Sequence, residues 1–299
     1  EYNYGKDKKV VTQNELEKAL SEGSFAAKNV VMIQCVGSRN EEAPYCSRVC
    51  CSKAVKNAIE IKKKDPKAQV YVLHKDIRTY GFRECLYKEA GQLGVKFIRF
   101  PEDKMPEMTA DGKIVVDDTI LGAPVELSPD CLVLSVGIRP NDDNEDLAKM
   151  LKVPTSKDHY FLEAHMKLRP VDFATSGIYL AGLAHWPKFI DESIAQASGA
   201  ASRAMTIISK QYLESQGIVA SVNESICDGC GICEPICPYK AISMVVDATN
   251  PVKRKAFVNE GMCMGCGCCV AACPSGAMEQ KGFKNDQILA MVKAVLLEG

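Results

Sequence analysis

The chain has 299 residues, of which 46% are hydrophobic and 25% are charged, and its net charge is −1. This length is enough for two or three domains. The near-neutral charge gives no reason to expect nucleic acid or an anionic membrane as a partner. No apolar run reaches the length of a transmembrane helix, and no signal peptide is visible.

Fifteen cysteines are the distinctive part of the composition. In a small secreted protein they would indicate a disulfide framework, but cluster-type spacings in a chain of this length favour a reducing cytoplasm. The sequence opens with Glu1, directly in a polar and charged stretch. We therefore expect a fragment of a longer protein, or a subunit whose missing half lies elsewhere.

Residues 1–28 are polar and are predicted to form an N-terminal connecting segment with one short helix at 13–20. Residues 29–141 alternate apolar, β-branched runs with helical patterns, which is typical of an α/β domain with a parallel sheet. Within this domain, residues 101–130 carry hairpin-like pieces with a turn at Asp111-Gly112. The other predicted elements are strands at 29–36, 69–74, 95–100 and 131–136 and helices at about 45–64 and 82–93.

The first strand–turn–helix is the place where a dinucleotide-binding domain carries G-x-G-x-x-G. That fingerprint is missing, and Cys35, Cys46, Cys50 and Cys51 stand there instead. Because a helix N-terminus favours anions, a third [4Fe–4S] cluster can replace the pyrophosphate site, and NAD(P)H is not expected to bind this domain. The alternative is that Cys35 is a core strand residue and the other three are small helix residues.

Cys85 and Cys131 lie in apolar surroundings and are predicted to be buried. Residues 142–216 are predicted to contain a helix at 143–151, a strand at 176–182 and a helix at 190–211, before a linker at 213–221. The last helix carries small residues near its start, which allows a planar cofactor to approach closely. The alternative is a small-residue helix that packs tightly on a sheet.

Residues 217–282 contain the least ambiguous pattern, C-x2-C-x2-C-x3-C-P, twice, with every cysteine displaced by 36 residues. This run binds [4Fe–4S] clusters in bacterial ferredoxins, and its fourth cysteine ligates the other cluster. The alternative, a pair of four-cysteine zinc sites, usually divides its ligands two and two. The expected sets are Cys227, Cys230, Cys233 and Cys273 for one cluster and Cys263, Cys266, Cys269 and Cys237 for the other.

Cys268 is a spare thiol in the second repeat, and it is predicted to be a buried bystander because Cys269 preserves the spacing. Residues 283–299 are predicted to form a final helix, capped by Asn285, that is apolar on almost every side. Such a helix is usually buried, here against its own domain or against a partner.

Several segments together resemble the C-terminal half of the heterodisulfide reductase A subunit family, an iron–sulfur flavoprotein family. The resemblance spans essentially the whole chain and implies α/β, thioredoxin-reductase-like (Rossmann-type) flavoprotein domains followed by an α+β ferredoxin domain with two [4Fe–4S] clusters. It implies that the Cys35 set binds a third cluster. The segments are Cys35-Val-Gly-Ser-Arg39 with the three cysteines that come after it, Asp76-Ile-Arg-Thr-Tyr-Gly81, Ser176-Gly-Ile-Tyr-Leu-Ala-Gly182, Ala195-Gln-Ala-Ser198 and the ferredoxin repeat.

The resemblance also implies that residues 142–216 form the second half of an FAD-binding domain, with the helix N-terminus near Ser193 facing the flavin. Two departures bear on this site. The family's N-terminal half is absent, and the Gly-Asp of related flavoproteins reads Gly182-Leu183 here. The residues implied for FAD are Gly182, Leu183, Ala184, Lys188, Ser193, Ile194 and Ala195.

The function implied is that of an oxidoreductase subunit in which FAD bifurcates electrons and three clusters carry single electrons away. The partners implied are heterodisulfide reductase B- and C-like subunits, a hydrogenase- or formate dehydrogenase-like subunit, an electron-delivering subunit, and the missing N-terminal half. Two alternatives stay open. One is a passive electron-relay subunit without flavin chemistry, and the other is a zinc-stabilised docking module.

Overall fold

The computed structural model of the protein describes residues 1–212, 217–247 and 250–297. They divide into two units, Glu1–Ser209 and Lys210–Gly299, each of which is described by itself below. The division into five segments drawn from the sequence stays a prediction, and its residues 213–216, 248–249 and 298–299 lie outside the described part.

The first unit is built on a five-stranded parallel sheet with strand order β1-β8-β2-β3-β4. Its central strands are β-branched runs that are buried on both faces, as expected for a parallel sheet. In chain order the elements are β1 (Val10–Thr12), α1 (Gln13–Glu22), β2 (Asn29–Val36), α2 (Cys50–Lys64), β3 (Gln69–His74), α3 (Glu84–Gln92), β4 (Lys96–Arg99), β5 (Glu107–Met108), β6 (Ile114–Asp118), β7 (Ala123–Leu127), β8 (Cys131–Val136), α4 (Asn144–Leu151) and α5 (Ile190–Ile208).

Alternate residues of β2 belong to two different cores. Val30 and Met32 pack with Ala54 and Val55 of α2 on one face of the sheet. Val31 and its neighbours on the other face pack against the antiparallel sheet β5-β6-β7. Each side chain of this size that is fully removed from water contributes about 1.5–3 kcal/mol. The parallel α/β sheet predicted from the sequence is thus confirmed, with a small antiparallel sheet as its third layer.

Two segments differ from their predicted structure near the N-terminus. The segment at 1–28 is more than a connection, because β1 pairs with β8 and α1 comes next with a capping box between Thr12 and Glu15. Helix α2 begins at Cys50 rather than near residue 45. Residues 46–49 instead form a turn. Arg48 in this turn has a φ of +63°, which is a left-handed conformation and not that of a right-handed helix, so the helix cannot include this residue.

The strand predicted at 176–182 is wrong. Gly177 has a φ of +84°, and the chain reverses around it so that Leu180 N–H donates to Val171 O at 2.8 Å. Only a single bridge, between Asp172 and Tyr179, forms there. The alternation of apolar residues reflects burial of Leu180 in a small satellite core and not a strand of the main sheet.

The second unit contains two β–α–β repeats. The outer strands β9 and β12 pair antiparallel, as do the inner strands β10 and β11. The predicted linker at 213–221 overlaps β9, so that part of the prediction is wrong, and residues 213–216 lie outside the described part. The elements are β9 (Ala220–Val222), α6 (Cys233–Ile236), β10 (Ile242–Val246), β11 (Arg254–Val258), α7 (Cys268–Ala271), β12 (Met278–Gln280) and α8 (Asn285–Leu297).

Helix α8 has no buried residue along its length. Asn285 is its first helical residue, so the predicted cap lies one position inside the helix. Its apolar side chains are between 40% and 85% exposed, which is unusual for a helix of this composition. They are Ile288, Leu289, Met291, Val292, Val295, Leu296 and Leu297. In the described part of the chain, no helix has the length and apolarity needed to cross a bilayer.

Deleting α8 by truncation after Gly282 should weaken assembly with partner subunits while the clusters remain. The physical reason is that a contiguous exposed apolar stripe usually marks an interaction site, whereas no core residue is removed. Co-purification of partners and iron content are the measurements, with Asp286→Ala as a control on the polar part of the same helix. Normal co-purification with the truncated protein would contradict a docking role.

Candidate cofactor sites

The first ferredoxin set is gathered around the buried thiol of Cys233. Burial raises the pKa of this thiol, and the nearby thiols of Cys227, Cys230 and Cys273 raise it further. Cys273 belongs to the second repeat of the sequence. The structure therefore brings the fourth cysteine of one repeat to the first three of the other, as crossed ligation requires.

The second set has the reciprocal arrangement. Burial raises the pKa of Cys269 to about 11, with the thiols of Cys263, Cys266 and Cys237 as further contributors. These four cysteines line one small cavity together with Cys268. The eight thiols thus lie in the two groups that the repeat predicts, and their ligation of two clusters stays a prediction.

Backbone N–H groups point at two sulfurs of the second set. Ala241 N–H donates to Cys237 Sγ at 3.3 Å, and Ala220 N–H donates to Cys263 Sγ at 3.4 Å. Such bonds favour the thiolate form, which is the form that ligates iron. The second unit therefore supplies donors at positions where cluster ligands need them.

Cys273 is the thiol whose surroundings favour the anion most clearly. Burial raises its pKa, but the Ser275 hydroxyl and the backbone N–H groups of Ser275, Ala277 and Met278 together hold the pKa below its ordinary value. The donors come just after the cysteine, within about one turn of chain. The crossing ligand is thus stabilised by its own repeat while its sulfur faces the other set.

Two glycines make the cluster loops possible. A Cβ at Gly229 would lie 2.2 Å from Arg254 O, and a Cβ at Gly265 would lie 2.3 Å from Ile218 O. Both residues also have positive φ. Only glycine permits the loops to approach the neighbouring backbone this closely.

The isolated cysteines differ in burial. Cys131 is buried, as predicted, but Cys85 and Cys268 are exposed, so the prediction of burial is wrong for both. Cys85 lies in the first turn of α3, whose only buried residue is Ala90. Cys268 is the first residue of the short helix α7, and it hydrogen-bonds to the Cys266 thiol. The neighbouring Cys269 is the buried cysteine of this pair.

The third set consists of Cys35, Cys46, Cys50 and Cys51, and it lies at the carboxyl end of β2. The pairing of β2 with β8 shifts register between Ile33 and Val36, and Cys35 has a φ of +63°. Irregularities of this kind re-aim a side chain at the end of a strand. Burial raises the pKa of Cys35 to about 11, and Cys51 and Cys46 raise it further.

Cys50 and Cys51 are hydrogen-bonded to each other at the start of α2. This bond raises the pKa of Cys50 and lowers that of Cys51 to about 7. Cys35 and Cys46 also act electrostatically on Cys50. All four predicted ligands are therefore neighbours, although one belongs to a strand, one to a loop and two to a helix.

Cationic side chains surround the third set. The Arg78 guanidinium hydrogen-bonds to the Cys46 thiol, and the Arg39 charge acts on Cys35. Both arginines also pair with Asp76. A four-thiolate cluster is an anion, so this charge distribution suits it, and nearby positive charge raises a cluster's reduction potential.

Unpaired buried polar atoms also mark this site. Gln34, which precedes Cys35, is fully buried, and both of its amide atoms lack a hydrogen-bond partner among the described residues. The hydroxyl of Ser52, the residue after Cys51, is in the same state. An unmade buried hydrogen bond costs about 1–3 kcal/mol. The sulfurs of a cluster are acceptors, so they suit the Gln34 amide N–H and the Ser52 hydroxyl but not the Gln34 amide oxygen. The residues present thus fit an iron–sulfur cluster.

In the described part of the chain, no group of three or more His, Cys, Asp or Glu side chains has the arrangement that a single metal ion requires. A cubane spreads four thiolates over its corners, farther apart than the ligands of one ion. Cluster ligation and single-ion ligation therefore make different demands on the same cysteines.

The turn predicted to contact FAD is a short helical turn, Gly182–Ala184. Its start is fixed by Gln196 of α5, whose side-chain oxygen accepts from Gly182 N–H at 2.9 Å. Gln196 in turn donates to His185 Nδ1 at 2.7 Å, and His185 Nε2 lies 2.8 Å from Glu163. The sequence did not indicate this chain of bonds, which holds the turn against the helix.

Lys188 also stabilises the Gly182–Ala184 turn, through its ammonium group. Its ammonium donates to Gly182 O at 2.8 Å and to Trp186 O at 2.9 Å. Burial and then the charge of Arg48 lower its pKa. Lys188 is therefore a structural cation of the turn, while Leu183 and Ile194 are 50% and 61% exposed beside it.

Helix α5 begins at Ile190, as the helix predicted at 190–211 does, so its N-terminus lies three residues before the Ser193 that the resemblance implies. The Glu192 carboxylate accepts from Phe189 N–H at 2.7 Å, and Ser193 donates to Phe189 O at 2.9 Å. Ser193 is thus turned back on its own helix. Glu192 caps the helix from inside its first turn, although Phe189 is not an ordinary N-cap residue.

A groove of about 600 Å³ lies beside the third cysteine set. It is mostly apolar, and it runs from Cys50 past the end of β8 to the first residues of α5. This size lies in the range of small-molecule sites. None of the seven residues implied for FAD lines it. Apart from Cys50, sequence reasoning missed the residues that do, including Lys53, Lys56 and Ile138.

Comparison with known proteins identifies relatives of both units. A family model described as "4Fe-4S dicluster domain" matches residues 226–277. The iron–sulfur A subunit of CoB–CoM heterodisulfide reductase from Methanocaldococcus jannaschii is 42% identical over 315 residues, which cover 99% of this chain and 47% of that protein. The chain belongs to the heterodisulfide reductase A subunit family. The resemblance predicted from the sequence is thereby confirmed.

Further members of the family also match nearly the whole of this chain. The A subunit of the H2:CoB–CoM heterodisulfide, ferredoxin reductase of Methanothermobacter thermautotrophicus is 41% identical over 318 residues, covering 100% of this chain and 47% of that protein. The A subunit of the ferredoxin:CoB–CoM heterodisulfide reductase of Methanosarcina mazei is 39% identical over 313 residues, covering 98% and 38%. The chain spans about half the length of the curated relatives it matches.

Solved structures show a looser similarity. Thioredoxin reductase of T. acidophilum has a TM-score of 0.39 and 16% identity, covering 69% of this chain and 57% of that one. Thioredoxin reductase of Lactococcus lactis has a TM-score of 0.40 and 15% identity, covering 68% and 62%. No cofactor residue is assigned from these two structures.

Replacing Cys237 by Ala should damage the cluster of Cys263, Cys266 and Cys269 more than the cluster of its own repeat, because its sulfur faces the other set. Electron paramagnetic resonance of the two ferredoxin clusters, with iron analysis, is the measurement. Cys268→Ala is the matched control, since that thiol is exposed and not needed for either set. Loss confined to the Cys227, Cys230 and Cys233 cluster would contradict crossed ligation.

The Cys46→Ala, Cys50→Ala double variant should lose one cluster, about four iron atoms, because two of four neighbouring thiols disappear. Cys85→Ala, an exposed cysteine outside every set, serves as the control and should keep its iron. Iron analysis and NAD(P)H titration are the measurements, with no nucleotide binding expected in either form. Unchanged iron in the double variant would rule out the ligand assignment.

Proposed function

We propose that the protein distributes electrons within an oxidoreductase complex of the heterodisulfide reductase type. The observation that carries the proposal is the gathering of twelve cysteines into three sets, two of them crossed between repeats. Family membership supports it, because the relatives are named as iron–sulfur and reductase subunits. The proposed ligands are Cys35, Cys46, Cys50 and Cys51, with the two ferredoxin sets defined above.

The three sets differ in the way each would stabilise its cluster. The ferredoxin sets rely on backbone N–H groups and on their own burial, whereas the Cys35 set adds Arg39 and Arg78. Cluster potentials span about −700 to +450 mV, set by hydrogen bonds, net charge and exposure. We therefore propose that the third cluster has a higher potential than at least one ferredoxin cluster, so that electrons have a direction.

FAD is the proposed partner of these clusters, because a bound flavin exchanges electron pairs with one side and single electrons with the other. The turn at Gly182 and the start of α5 would hold it, with Leu183, Ala184, Lys188, Ser193, Ile194 and Ala195 as the remaining proposed contacts. The helix N-terminus would stabilise negative charge on the reduced ring by about 0.3–1 kcal/mol. The groove that leads from Phe189 to Cys50 provides the space in which a ring can approach the third cluster.

Electron bifurcation is the finer part of the proposal. It would use the flavin to divide one electron pair between a low-potential and a high-potential path. The relatives' names mention H2, formate, ferredoxin and a CoB–CoM heterodisulfide. We propose corresponding partners in a cytoplasmic complex: heterodisulfide reductase B- and C-like subunits, a hydrogenase- or formate dehydrogenase-like donor, an electron-delivering subunit, and the N-terminal half that the relatives carry.

A passive relay without flavin is the second candidate. It is favoured by two observations: the residues implied for FAD do not line the groove, and α5 has no buried residue. The stoichiometry of iron, sulfide and FAD in the intact complex distinguishes the two functions. One FAD that depends on this chain supports the first function, and iron without flavin supports the second.

Replacing Gly182 by Val should abolish FAD retention while all three clusters survive, because a branched side chain would enter the cofactor's space. Gly177→Val is the matched control. Both glycines have positive φ, +71° and +84°, and an added Cβ meets nothing within 4 Å at either, so the backbone strain of about 1–2 kcal/mol is shared. Flavin absorbance and iron content are measured in both. Full FAD occupancy in Gly182→Val would place the flavin elsewhere.

A further inference from the structure

We propose that Arg48 is a positioning residue that fixes the third cluster's loop to the start of α5 and so sets the separation between that cluster and the flavin. The inference rests on the proposed function, since it needs both cofactors. Arg48 lies between Cys46 and Cys50 in the sequence, and its side chain reaches the segment that leads from Gly182 into α5. Among the described residues, no other side chain with a recorded hydrogen bond or ion pair joins these two segments.

The backbone of Arg48 belongs to the cluster loop. Its N–H donates to Cys46 Sγ at 3.2 Å, and its φ is +63°. A residue other than glycine in the left-handed region is uncommon and persists only where its surroundings hold it. The conformation turns the chain between Cys46 and α2, and it directs the long side chain away from the cysteines.

The guanidinium of Arg48 makes three hydrogen bonds, two to the 182–192 segment and one to Tyr80. It donates to Glu192 Oε1 at 2.5 Å, to the Tyr80 hydroxyl at 2.5 Å and to Pro187 O at 3.1 Å. Its side chain and that of Glu192 are only 30% and 35% exposed. The planar, multiply donating group of arginine suits such a junction, whereas lysine offers a single point charge.

Glu192 and Pro187 continue the connection toward the flavin turn. The other oxygen of Glu192 accepts from Phe189 N–H and fixes the start of α5. Pro187 precedes Lys188, whose ammonium holds Gly182 O at 2.8 Å. Hydrogen bonds therefore run from Cys46 through Arg48 to Glu192 and to Pro187, and the peptide bond from Pro187 to Lys188 continues the connection to Gly182.

A purely stabilising surface ion pair is the alternative, and the structure provides a control for it. Arg83 pairs with Asp191 at 2.8 Å, one residue before Glu192 on the same helical turn. Arg83 precedes α3 and carries no connection to a cluster cysteine. If α5 merely needed an ion pair at its start, the loss of either carboxylate would have the same effect.

The test uses the complete complex with its cofactors and compares Arg48→Gln, Glu192→Gln and the control Asp191→Asn. Iron and FAD content are expected to stay unchanged in all three. In the first two variants, transfer of an electron from photoreduced flavin to the third cluster should slow several-fold, as measured by freeze-quench electron paramagnetic resonance. Asp191→Asn should transfer at the unmodified rate, and Arg48→Lys should recover only part of the rate.

The reduction potential of the third cluster separates position from charge. Loss of the arginine cation should lower this potential and loss of the glutamate anion should raise it, so a simple charge effect would move the rates of the two variants in opposite directions. Slower transfer in both supports positioning, and the double variant should then be no slower than either single one, because both remove one interaction. Glu192→Gln also serves as the second route if Arg48→Gln does not fold.

Unchanged transfer in Arg48→Gln and Glu192→Gln, rates that move in opposite directions, or an equal loss in Asp191→Asn would overturn the positioning role while the proposed function stands. An unmodified complex without FAD or without a third-cluster signal would overturn the proposed function, and the positioning role with it. The measurements on the unmodified complex thus distinguish the two failures.

Discussion

The structure depends on one electrostatic constraint, which is that a cluster held by four thiolates is an anion that must be kept dry and still be neutralised. The second unit meets it with its own fold. Cys233 and Cys269 are part of its small apolar core, and other ligands pack around them. In so small a core, metal binding supplies much of the folding free energy, so the proposed ligands would be structural and functional at once.

The third set meets the same constraint with side chains of a different kind. The sheet that carries Cys35 has a full core of its own, so this site does not have to build the fold. Arg39 and Arg78 supply charge. Gln34 and Ser52, which adjoin Cys35 and Cys51 in the sequence, have buried polar atoms without a partner among the described residues. A site assembled by arginines on a stable sheet can be tuned in potential without loss of the domain, which a ferredoxin core does not permit.

The sequence predicted what depends on spacing and strong patterns. The strands at 29–36, 69–74 and 131–136 agree with β2, β3 and β8 to the residue, because β-branched runs buried on both faces have few alternatives. It failed where tertiary contacts override local pattern. Gly177 reverses the chain at a predicted strand, and residues 46–49 form a turn where a helix from about residue 45 was predicted. The sequence could not predict the contact between Arg48 and Glu192 either, because the two residues are 144 positions apart in the chain.

The charges at the start of α5 show why the two cofactor regions depend on each other. Asp191 and Glu192 in its first turn would by themselves oppose negative charge on a reduced flavin, whose stabilisation by the helix dipole is only about 0.3–1 kcal/mol. Arg83 and Arg48 neutralise them, and Lys188 is committed to the backbone of the turn. Since Arg48 lies in the loop of the proposed third cluster, that cluster and the proposed flavin turn would share one cation. A change in the loop would therefore be felt electrostatically at the flavin, although the two sets of contacts are far apart in the sequence.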